Sequence, residues 1–245
     1  MFRKYASKRE LFGEKYFVWR GGEVSRLESL VDAVFAIAVT LLIVTRDVPK
    51  TFDEFIVVMW GFLGFAVTFS FLFNIWKAHY LFHRRYGLED DTTILLNSIL
   101  IFLVLFYIYP LKFLAEILIG EILINSVFNM NVKFGFSGSI DMRQLMIIYS
   151  IGALMIWFII RSLYNHALNH KDLLELNANE VSITNGYIAI YNILILFALT
   201  SILIAYFAQG ALLVSMSGWI YCGIGPTIYL YLKFKPIEIT EKNIK

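Results

Sequence analysis

Six apolar stretches of membrane length constrain this chain more than any other feature of its sequence, falling near residues 28–45, 55–76, 94–118, 145–165, 186–208 and 211–232. About 20 consecutive apolar residues are enough for a helix to cross the hydrocarbon core of a bilayer. Inside lipid each backbone N–H and C=O has to be satisfied within the segment itself, which leaves helices as the spanning form for runs of this kind. A chain of 245 residues that is 59% hydrophobic, with 22 Phe and 14 Tyr, cannot hide that much apolar surface in a soluble core of its size. The expected fold class is therefore an all-α membrane protein with six transmembrane helices. A tail at 1–25 precedes a membrane domain at 26–233, and a second tail follows at 234–245.

The spread of basic residues orients these spans. Sixteen Lys and Arg fall in the two tails and in the connections after spans two and four, and five fall on the opposite side. The positive-inside rule then places both termini in the cytoplasm and the chain in the cell membrane as a multi-pass protein. The polar, basic residues 1–25 lack the apolar core and small-residue cleavage site of a secretory signal, so no cleavage is expected. A net charge of +2 gives no reason to expect a nucleic-acid partner. Cys222 has no second thiol in the chain, which excludes an internal disulfide and a thiolate zinc cluster. The 119–144 connection, with Asn125, Asn129, Asn131, Gly135 and Gly138 among apolar residues, reads as an external loop that re-enters or lies on the interface. Its Phe134-Gly135-Phe136 lacks the successive carbonyl rings that a filter of the TVGYG type requires.

Ionisable and polar side chains gather at one end of the first three spans. Asp32 stands six positions after Arg26, about two turns into a helix that then runs uncharged to Val44. A carboxylate at that depth is costly and usually functional. Around the helix, Leu30, Ile37, Leu41 and Val44 fall within about 60° of one another and form a smooth apolar face. Trp76, His79 and His83 occupy adjacent turns at the cytoplasmic end of span two, and Asn97 enters from the same side on span three. An interfacial belt would explain Trp and His at that level. Asp32 and Asn97 are deeper than a belt requires, which points to an interhelical network of Arg26, Asp32, Trp76, His79 and Asn97 that braces the first helix. A competing reading uses the pairs His79/His83 and His166/His170, each one turn apart, as ligands of a membrane metal or haem redox enzyme. Four histidines are few for such a centre, and Asn165, Asn169 and Lys171 do not supply its outer carboxylates. A transporter is a third possibility, since Gly223-Ile224-Gly225-Pro226 would interrupt the last span, although no matched span shows a partner break.

The same residues resemble the signature of the endosomal and lysosomal potassium channel family (transmembrane protein 175). Its first helix opens with Arg-x-x-x-Phe-Ser-Asp; Arg26 and Asp32 keep that spacing, while Leu30 and Val31 replace Phe and Ser. The run Val34 to Leu42, then Trp76, His79, Asp91, Asn97 and Pro110, also follow the family pattern, so the resemblance covers residues 26–118. It implies a potassium-permeable, passively conducting channel that is not an enzyme. Four subunits would surround one axis with their first helices, bulky aliphatic rings at Ile37, Leu41 and Val44 would form the constriction, and Thr40 would fall where a threonine contributes potassium preference. The implied partners are the bilayer, three further copies of the chain and potassium as the permeant ion, with no cofactor and no metal.

Overall fold

The computed structural model describes residues 16–44, 48–117 and 139–234. Seven α-helices lie within those residues: α1 (Arg26–Val44), α2 (Phe52–Tyr86), α3 (Asp91–Ile117), α4 (Ser139–Asn169), α5 (Ala178–Phe207), α6 (Ala211–Trp219) and α7 (Ile224–Phe234), the last two joined by a 3-10 turn at Ile220–Gly223. Most of the predicted external loop, Phe134-Gly135-Phe136 included, lies outside the described residues, as do residues 1–15 and 235–245.

Length and composition alone qualify three segments to cross a membrane: Asp91–Leu114, Ile140–Asn169 and Ala178–Phe207. The expected sixth span is not one continuous helix, and at 9 and 11 residues α6 and α7 are each too short to cross alone. Pro226 contributes to the break: it has no N–H for the carbonyl of Cys222 and its ring crowds that carbonyl, which disfavours regular α-helix there, although α3 runs on through Pro110. The broken element is held instead by hydroxyls: Ser150 and Ser201 pair at 2.8 Å, Ser201 donates to the Ser217 carbonyl at 2.8 Å, and Tyr221 donates to Ser150 at 2.9 Å.

Helix ends also differ from the apolar runs, because hydropathy marks the hydrocarbon and not the helix. α5 starts eight residues before its predicted span, with Asn177 and Glu180 forming a capping box. α2 has 35 residues. At 1.5 Å per residue it is about 52 Å long, more than the roughly 30 Å of a hydrocarbon core.

The core is aromatic. Tyr164 on α4 sits 5.6 Å from Phe82, 5.7 Å from Tyr86 and 5.1 Å from Tyr191, joining α2, α4 and α5. Tyr107 on α3 donates to the Tyr149 carbonyl at 2.6 Å, and a Cβ added at Gly152 would collide with its ring. Tyr107 is buried and hydrogen-bonded, so the ring cannot swing away cheaply. Gly152→Ala should therefore lower stability by about 1–3 kcal/mol through overpacking, read as a fall in thermal midpoint in detergent. An unchanged midpoint would show that α3 and α4 part without strain.

Candidate functional site

α1 has two contrasting faces. Val31, Phe35, Ala38 and Leu42 recur at spacings of four and three and are buried against the rest of the chain. On the opposite side Leu30 is 55% and Ile37 54% exposed, with Ala33 and Thr40 also exposed. Leu41 is half-buried on the flank of this free stripe. Val44 ends the helix, and its side chain lies outside the described residues. The Thr40 hydroxyl donates to the Ala36 carbonyl at 2.9 Å. That bond uses the hydroxyl hydrogen inside the helix and leaves oxygen lone pairs on the free face, the orientation a cation would need.

The base of α1 is tied to α2 at two levels. Ser25 accepts from the Glu28 N–H at 3.1 Å, which caps the helix start. The Glu28 carboxylate pairs with Arg84 at 3.3 Å, both side chains being buried, and Arg84 also donates to the carbonyls of Gly21 and Gly22. One turn further along, Asp32 accepts from Trp76 Nε1 at 2.8 Å, and Trp76 stacks on Tyr80 with ring centroids 5.5 Å apart.

The proposed network thus assembles only in part. Asp32 and Trp76 meet. Arg26 is exposed and makes no hydrogen bond or ion pair among the described residues, and the charge pair at the helix base is Glu28 with Arg84 instead. His79, His83 and Asn97 come together in the interior, with the two imidazoles 4.4 Å apart. Asn97 donates to the Thr93 carbonyl at 2.8 Å; its Oδ1 and the ring nitrogens of both histidines find no hydrogen-bond partner among the described residues. The Asn97 amide lies beside both rings without completing a hydrogen bond.

Sequence reasoning missed the segment 16–25, expected as a tail and found docked across the C-terminal end of α2 and the N-terminal end of α5. Phe17 is buried, Val18 N–H donates to Glu180 at 2.7 Å, and Arg20 pairs with Glu180 at 2.8 Å while donating to the Leu174 carbonyl. A Cβ at Gly21 would strike the His83 carbonyl, so the close approach of the segment to α2 needs glycine there. Ser25-x-x-Glu28 was a readable capping signal; the pairing of Glu28 with a residue 56 positions away was not.

The described residues are almost wholly helical and expose large apolar side chains along several helices, as an integral membrane protein does. The family model "Endosomal/lysosomal potassium channel TMEM175" matches residues 26–107, which hold α1, α2 and most of α3. Over 175 residues, 70% of each chain, the sequence is 39% identical to a potassium channel of Marivirga tractuosa. The solved structure of a variant of the potassium channel MtTMEM175, in complex with a nanobody fusion protein, superposes with a TM-score of 0.82 at 32% identity, covering 92% of this chain and 99% of that one. A TMEM175 homolog from Chamaesiphon minutus shares the fold alone, with a TM-score of 0.53 at 20% identity over 86% of this chain and 97% of that one. The chain belongs to the TMEM175 family.

The redox reading is not supported. The relatives are potassium channels, His166 is engaged by Asp90 at 2.9 Å, and no three His, Cys, Asp or Glu side chains among the described residues are grouped to hold a metal.

Proposed function

We propose that the protein is a potassium-permeable channel in which α1 lines the ion path, with Ile37, Leu41 and Val44 forming an apolar constriction and Thr40 supplying oxygen beside it. The observation that carries this reading is the free stripe of α1. A helix packed on one side by its own subunit, with Ile37 and Thr40 exposed on the other, is what a subunit of a ring presents to the axis. One copy of α1 cannot enclose a path, so the protein assembles as a homotetramer, a closed ring of identical subunits. The membrane domain, 26–233, spans the cell membrane six times with both termini cytoplasmic and the broken α6–α7 element as its last crossing. Arg26 lies outside the tether within one subunit and serves between subunits or at the headgroups.

Rings of large aliphatic side chains close a pore by excluding water, and threonine oxygens replace part of an ion's hydration shell when it opens. No cofactor enters this scheme. Potassium flux into liposomes containing the purified protein tests it directly: sustained uptake exceeding that of empty vesicles is expected. Absence of uptake from protein that is folded and tetrameric by native mass spectrometry would sink the channel reading, and monomers alone would sink the ring.

A further inference from the structure

A groove of about 990 Å³ runs along the side of the subunit remote from the free stripe of α1, between α2, α4, α5 and the broken α6–α7 element. One wall is a helical stripe on α4: Met142, Met146, Tyr149, Ala153 and Trp157 recur at spacings of four, three, four and four. From Met142 to Trp157 the stripe covers about 22 Å, most of the hydrocarbon depth of a bilayer. At one end the groove carries Asn74 and Lys77 of α2. Trp157 packs against Phe71 and Tyr164 reaches the Ala78 carbonyl, so Arg161 on α4, one turn beyond Trp157, falls at the depth of Asn74 and Lys77. Lys77 is exposed and makes no ion pair among the described residues, and Arg161 spends one N–H on Asn192.

Length, lining and charge name the occupant. An apolar channel of this size within lipid is not filled by water, which needs polar partners. A long, narrow apolar groove suits an extended hydrocarbon chain. Cations gather at one end, the cytoplasmic one in the proposed orientation, where the leaflet is rich in anionic headgroups. We infer that the groove binds an anionic phospholipid of the cytoplasmic leaflet, with an acyl chain along the α4 stripe and the phosphate held by Lys77 beside Arg161. The inference takes its orientation from the proposed function, but its test does not depend on ion conduction.

Native mass spectrometry of the full-length protein in detergent, with added phosphatidylglycerol or phosphatidylcholine, reads the occupancy. Phosphatidylglycerol adducts should survive activation that strips phosphatidylcholine. Lys77→Gln, at an exposed position that should leave folding unchanged, should weaken phosphatidylglycerol retention about fivefold, the effect of one basic residue near an anionic surface. Gly218→Leu, which extends a side chain into the groove beside Met146, should remove retention of both lipids. Equal retention of the two lipids in the unaltered protein would overturn the inference, as would Lys77→Gln without effect. A change of oligomeric mass in Gly218→Leu with lipid retention unaltered would also overturn it, by showing that a second copy fills the groove.

Discussion

Potassium flux through Ile37→Asn should exceed that of the unaltered protein by severalfold. Ile37 projects from the free stripe of α1, and four copies would make an apolar ring unable to hold a continuous water column when narrow. An amide of similar size wets that ring without removing its bulk, so the barrier to an ion falls while the helix stays packed through Val31, Phe35, Ala38 and Leu42. Thr40→Ala should act differently, weakening the preference for potassium over sodium and leaving total flux nearer its starting value, because it deletes the outward oxygen and no apolar bulk. Leu203→Asn on α5 is the matched control, being 57% exposed but far along the chain from α1. If the Ile37 and Leu203 variants conducted equally in protein that assembles normally, the free stripe of α1 would be a lipid or helix contact and not the lining of a path.

Arg84→Ala should sharply reduce the yield of folded protein. The change removes the Arg84 guanidinium from the buried Glu28 carboxylate and withdraws the donor from the Gly21 and Gly22 carbonyls. Removing one partner of a buried pair costs about 3–5 kcal/mol, which is large against total stabilities of about 5–15 kcal/mol. Glu28→Gln combined with Arg84→Gln leaves no lone charge and should recover much of the loss. Thermal midpoints in detergent check both, and a single variant within about 0.5 kcal/mol of the unaltered protein would show that the pair is solvated and does not hold α1.

Much of this was legible in the sequence because lipid imposes simple rules. Apolar run lengths located the helices, and the Gly223 to Pro226 interruption marked the broken span at its true position. Asp32 announced a partner through the cost of its depth, and of the four side chains grouped with it Trp76 is the one that bonds to it. Arg26 was expected to serve beside it, since spacing along one helix shows which residues share a level but not which of two neighbouring charges turns inward; Glu28 does. The docked segment 16–25 was read as a tail because its anchors, Glu180 and the Leu174 carbonyl, are more than 150 residues away and contribute no local pattern. His79, His83 and Asn97 were expected at one level and bonded; they lie near one another in the interior. Their interior contact without hydrogen bonds depends on side-chain geometry that residue type does not determine.

The two ties at the base of α1 make the helix a lever. Fixed to α2 through Glu28 and again through Asp32, its base can neither slide along the axis nor roll about it while both bonds hold, so a motion that repacked Phe35, Ala38 and Leu42 would be a tilt. Displacement under tilt grows with distance from the fulcrum. Ile37 stands about 7.5 Å beyond Asp32 and Val44 about 18 Å, so a swing of about 10° carries the first roughly 1.3 Å sideways and the second roughly 3 Å. Successive side chains along such an arm part by unequal amounts, and the turn nearest the fulcrum widens least.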